Sequence, residues 1–135
     1  MSLCFDDKGR EHVMAFAYPP GLSGIPESFL QQAPSAYELR TLEAGAFFAL
    51  HVQDYHRLLQ THAGFESMMR KMIEQMFIGM LQRHRAWQTL SMEARFQAFM
   101  QRSGWLLHRA PQKYLASYLN IDPTNFSKLL RRTSW

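Results

Sequence analysis

The sequence predicts an α+β fold, mostly α, and three observations carry that prediction. The first 51 residues mix short strand-like runs with Gly- and Pro-rich turns. The middle holds a long helical stretch with an apolar stripe. The end reads as two short helices joined by a tight turn.

The 135 residues leave room for one ordinary domain or two very small ones. The composition is globular, with 47% hydrophobic and 19% charged residues. No apolar run approaches the ~18 residues that a membrane span needs. Met1 to Asp7 lacks the basic region and apolar stretch of a signal peptide, so a cytoplasmic location is expected. A single cysteine, Cys4, excludes an internal disulfide and any cysteine-built metal or iron–sulfur site. Charge is uneven. Residues 1–60 hold four basic and seven acidic residues, and residues 61–135 hold eleven basic and four acidic. A basic half suggests an anionic partner, although a solvated helix surface would show the same excess.

Residues 4–18 read as a β-hairpin turning at Asp7-Lys8-Gly9 and ending at Pro19-Pro20-Gly21. Glu27 to Gln32 suggests a short helix. Tyr37 to Leu42 alternates apolar and polar residues, as a half-buried strand does, and Ala46 to His51 is a further strand candidate. Such strands are too few to close a sheet, and an open edge invites pairing. The β-segment is therefore expected to be the end of a larger β-domain whose first part lies outside this chain.

The remainder reads as helix. Asp54 is the expected N-cap of a short helix through Gln60, and a long helix follows from Phe65 to about Gln88. Ser91 caps the next helix, which ends near Gly104. In the long helix, Phe65, Met69, Met72, Met76, Met80, Arg83 and Trp87 fall at spacings of three and four, a seam repeating near 3.5 residues. Met68, Ile73 and Phe77 widen it. Such a stripe must be buried. It either packs on strands of the same chain or pairs two copies as a parallel dimer, and the helix length and the adaptable Met residues favour the dimer.

The residues from Gln112 to Arg132 carry the functional signal. Ala116 is small where two helices would cross, and Leu115, Leu119, Ile121, Phe126 and Leu129 are spaced to share one core. Asn120 suits a positive φ in the turn. Asp122 N-caps the second helix and Pro123 occupies its first position. The second helix keeps one polar face: Pro123, Thr124, Ser127, Lys128 and Arg131. Short hydroxyl and long basic side chains near a helix N-terminus suit the DNA major groove, while Lys113, Arg131 and Arg132 suit phosphates.

With these residues in view, the chain resembles the Crp/Fnr family of bacterial transcription regulators over nearly its whole length. Gly21 to Ser35 is similar to the loop and short helix of that family's cyclic-nucleotide-binding β-roll, and Tyr37 to Glu43 to the strand that follows. Phe65 to Trp87 resembles the dimerisation helix. Pro111 to Leu119 with Asp122 to Ser127 resembles the helix-turn-helix, the most specific stretch. The resemblance implies a partial β-roll, a jelly-roll fragment, over residues 1–51. It implies a short helix and a long dimerisation helix over 52–90, and a helix-turn-helix DNA-binding domain over 91–135. It further implies a homodimer on a pseudo-palindromic operator in double-stranded DNA.

The same resemblance places a small-molecule effector near Glu27, Ser28, Ser35 and Arg40. Cyclic-AMP-binding members hold the phosphate with an Arg beside a small residue after the short helix. Here Pro34-Ser35-Ala36 stands in that place, which argues against a cyclic nucleotide. The iron–sulfur members need several cysteines. In the reading helix the matching positions are Pro123, Thr124 and Lys128, so a different operator is expected.

An enzyme is not expected. The six histidines show no HExxH-like spacing, and no nucleophile elbow, phosphate-cradling loop or carboxylate pair stands out. The competing reading is a protein-interaction module that uses the Met-rich helix, with the C-terminal helices serving only for packing.

Overall fold

A computed structural model describes residues 1–133. The chain is mostly helical with a small antiparallel sheet. It divides into two compact units. One joins residues 1–44 to the chain from Leu90 onward, and the other comprises residues 45–89.

The first unit opens with strands β1 (Ser2–Phe5) and β2 (Glu11–Ala15). Gly9, at φ 73°, closes the turn between them, with its N–H donating to Asp6 C=O at 2.8 Å. Helix α1 (Pro26–Gln31) and strand β3 (Tyr37–Leu39) follow. Strand β3 stops three residues short of the expected end. Among the described residues the sheet has three strands in the order β2-β1-β3, with β1 antiparallel to both neighbours. Alternation puts Leu3 and Val13 on one face, and both are buried with Met1 and Tyr114.

Helix α4 (Met92–Ser103) begins at Ser91, whose Oγ accepts from Ala94 N–H at 3.2 Å. Gly104 follows with ordinary helical angles, and the chain tightens into a 3-10 turn over Gly104–His108. Helices α5 (Gln112–Leu119) and α6 (Pro123–Arg132) complete the unit. Their core contains Phe96, Phe99, Leu115, Leu119, Ile121, Phe126 and Leu129. Phe96 and Phe126 meet edge to face at 5.5 Å. Phe16 and Leu42 pack against both this core and the cluster beneath the sheet. Residues 1–44 of the segment drawn from sequence as 1–51 thus join the segment drawn as 91–135 in one unit, contributing strands and helices, while residues 45–51 belong to the other. Local patterns say which faces are apolar, not which faces meet.

In the second unit, helix α2 (Val52–Thr61) precedes helix α3 (Ala63–Thr89). Two expectations fail here. Residues 46–51 form no strand, because no neighbouring strand is hydrogen-bonded to them and their apolar side chains are exposed. The N-cap of α2 is His51, whose Nδ1 accepts from Gln53 N–H at 3.3 Å. Asp54 lies inside the first turn and pairs with Arg57 at 2.6 Å.

Candidate nucleic-acid interface

Helix α5 ends because Asn120 adopts φ 52° and ψ 51°. Its N–H donates to Ser117 C=O at 3.0 Å, and Ile121 N–H reaches back to Ala116 C=O at 2.9 Å. This pair of bonds is a Schellman cap, with Ile121 and Ala116 buried beside each other. Asp122 then starts α6. Its Oδ1 accepts from Thr124 N–H at 2.9 Å and Asn125 N–H at 3.2 Å. One chain reversal therefore satisfies both helix ends.

Arg95 on α4 holds the same turn from outside. Its guanidinium donates to the carbonyls of Leu119 at 3.2 Å, Asn120 at 3.0 Å and Leu90 at 3.0 Å. The Leu119 and Asn120 carbonyls lie at the end of α5, where a helix leaves its last C=O groups without intrahelical partners, and the Leu90 carbonyl lies just before α4. Sequence reasoning missed Arg95, since nothing local distinguishes it from other helical arginines.

Helix α6 buries Phe126 and Leu129 and turns Pro123, Thr124, Lys128, Arg131 and Arg132 outward. Ser127 is half-buried, and its Oγ donates to Pro123 C=O at 3.0 Å, so the hydroxyl is engaged within its own helix. Lys128 and Arg132 line a shallow depression with Asn125, Leu129, Met92 and Glu93. The exposed side chains of this helix form a basic edge, with Glu93 beside it and the capping Asp122 at its N-terminus. Lys113, in the first turn of α5, is exposed. Its Nζ lies 3.9 Å from Glu11 Oε2 and 4.6 Å from the centre of the Tyr114 ring.

The residues suggested for an effector are engaged separately. Ser28 Oγ donates to Ala33 C=O at 2.6 Å. Ser35 Oγ accepts from Tyr37 N–H at 2.9 Å. Glu27 is exposed in the first turn of α1. Arg40 sits between sheet and helix. It donates to Glu38 at 2.8 Å, Glu11 at 2.5 Å and the Tyr114 hydroxyl at 3.1 Å. These contacts, Glu38 foremost, raise the Arg40 pKa above its ordinary value. A guanidinium so occupied joins β3, β2 and α5, and none of the four residues hydrogen-bonds to another of the four.

The residues of the expected pairing seam lie on α3, where no residue is buried. Phe65 meets Tyr55 of α2 edge to face at 6.0 Å. Met69 and Ile73 line a groove with Tyr55 and Leu59. Further along the helix, Met76, Phe77, Met80 and Leu81 are 49%, 60%, 60% and 54% exposed. Met72 and Trp87 are half-buried, with Arg83 stacked 5.0 Å over the Trp87 ring. The six steps from Phe65 to Trp87 average about 3.7 residues rather than 3.5, which suits nearly straight helices better than a left-handed supercoil.

Among the described residues no cluster of His, Cys, Asp or Glu could hold a metal ion, and no helix is long and apolar enough to cross a membrane. Compared with protein-family models, curated proteins and solved structures, the chain matches none of them.

Proposed function

We propose that the chain is a DNA-binding transcriptional regulator of the Crp/Fnr type, acting as a homodimer on a pseudo-palindromic site. The supporting observation is the α5–α6 pair. Its turn is hydrogen-bonded at both helix ends, its inner faces share one apolar core, and α6 turns Thr124, Lys128, Arg131 and Arg132 outward. In this helix-turn-helix, α6 is the reading helix. Thr124 and Lys128 reach base edges, while Arg131, Arg132 and Lys113 meet phosphates. Ser127 and Pro123 shape the contact face rather than carrying free donors.

The dimer reading is supported by α3. Its exposed Met76, Phe77, Met80 and Leu81 form a larger apolar surface than isolated exposed residues would. A second copy covers it and supplies the two heads that two half-sites require. The β-segment is a degenerate effector domain in this reading.

The test is fluorescence anisotropy with duplexes selected from a random-sequence pool, at two salt concentrations. Sequence-selective binding that weakens steeply with salt is expected. Lys128→Ala should weaken the selected duplex about ten-fold while leaving the fold intact. The same exposed α3 surface also favours a second reading, a protein-interaction module without DNA binding. No duplex binding even at low salt would refute the regulator and favour that alternative.

A further inference from the structure

We propose that Glu11 competes with DNA phosphate for Lys113, an autoinhibitory contact that ties the sheet to the first turn of α5. The proposal rests on the regulator reading above and concerns control of that same face.

Glu11 opens β2, and its carboxylate serves two cations. Oε1 lies 2.5 Å from Arg40 Nη1, and Oε2 lies 3.9 Å from Lys113 Nζ. The two cations are unequal. The Arg40 side chain is 31% exposed and also binds Glu38 and the Tyr114 hydroxyl. The Lys113 side chain is 65% exposed and has Glu11 as its ion-pair partner. Lys113 is therefore the member that exchanges. An exposed pair of this kind changes an equilibrium by no more than about five-fold. A phosphate carries a full charge and releases counterions when a lysine neutralises it, so a duplex displaces the carboxylate.

Glu11 itself does not leave, because Arg40 retains it. The sheet thus sets the resting position of a phosphate-contacting lysine. Any shift of β3 that moves Arg40 moves the competing carboxylate as well.

The test compares the intact chain with Glu11→Gln, Lys113→Gln and the double variant, using a duplex selected by the wild-type chain. Glu11→Gln keeps a hydrogen-bonding group toward Arg40 and removes the charge. Its duplex affinity should rise about three-fold, and that gain should vanish in the Lys113→Gln background. Unchanged affinity overturns the proposal, as does an equal gain in both backgrounds, which would reflect general charge repulsion. If Glu11→Gln fails to fold, Glu11→Asp replaces it. That variant withdraws the carboxylate by one methylene, and the same direction of change is expected.

A second readout needs no DNA. Acylation of Lys113 by an amine-reactive reagent, followed by mass spectrometry, should be faster in Glu11→Gln than in wild type. An equal rate means the contact does not restrain the lysine and overturns the proposal. Absence of any duplex binding by wild type refutes the regulator reading and this proposal together. Wild-type binding without a gain in Glu11→Gln refutes only this one.

Discussion

The backbone N–H of Val13, on β2, donates to the Ser117 hydroxyl on α5 at 2.9 Å, joining residues 104 positions apart. Strand β1 pairs with β2 on one side, and Ser117 supplies a partner on the other. The outer edge of β2 is therefore met by a helix at this point. An edge strand met this way is a poorer template for pairing with another chain.

Ser117→Ala should destabilise the unit by about 1–3 kcal/mol, because a part-buried N–H loses its acceptor. Urea unfolding measures this directly. A midpoint equal to wild type would mean that water replaces the hydroxyl without cost.

At Asn120 the two obvious replacements should behave differently. Glycine occupies φ 52° freely, whereas alanine is strained there. Asn120→Gly should match or slightly exceed wild-type stability, and Asn120→Ala should lose about 1 kcal/mol. Paired thermal melts decide this. Equal loss in both variants would point to a side-chain role for Asn120 instead.

Charge placed at the exposed centre of α3 tests the dimer. Met76→Glu should yield monomers in sedimentation velocity while circular dichroism stays unchanged. A variant that still sediments as a dimer would move the interface elsewhere.

Asp6 offers a pH prediction. Its carboxylate accepts the backbone N–H groups of Arg10 and Lys8 and the side chains of Arg10 and His12. These contacts, that of the Arg10 backbone foremost, hold the Asp6 pKa well below the usual carboxylate range. A pKa lower in the folded than in the unfolded chain stabilises the fold above the unfolded value of about 3.9. That contribution fades as pH falls further. Asp6→Asn should thus be less stable than wild type near pH 7, with the gap narrowing below about pH 4. A gap that stays constant down to pH 2 would show that the contacts act only through geometry.

Much of the helical C-terminus was legible because its signals are local. Asn120 at the turn, Asp122-Pro123 at the start of α6, Ser91 before α4 and the buried spacing of Leu115, Leu119, Phe126 and Leu129 depend on neighbours within a few residues. The hairpin around Gly9 was legible for the same reason. The strand expected over residues 46–51 was not secure, because a strand exists only when a partner supplies its hydrogen bonds. His51 displaced Asp54 as the cap of α2, since either residue type at those positions permits a helix start.

By itself, then, the sequence determined the identity and spacing of the helices, the turn between α5 and α6, and which faces are apolar or basic. Tertiary structure alone decided that β2 lies along α5, that Arg40 binds Glu11, Glu38 and Tyr114, and that Arg95 holds the turn at Asn120. Helix caps and periodicity are short-range constraints written in adjacent residues. Ion pairs and strand docking join residues whose proximity arises only when the whole unit buries its apolar surface, and no local pattern encodes that.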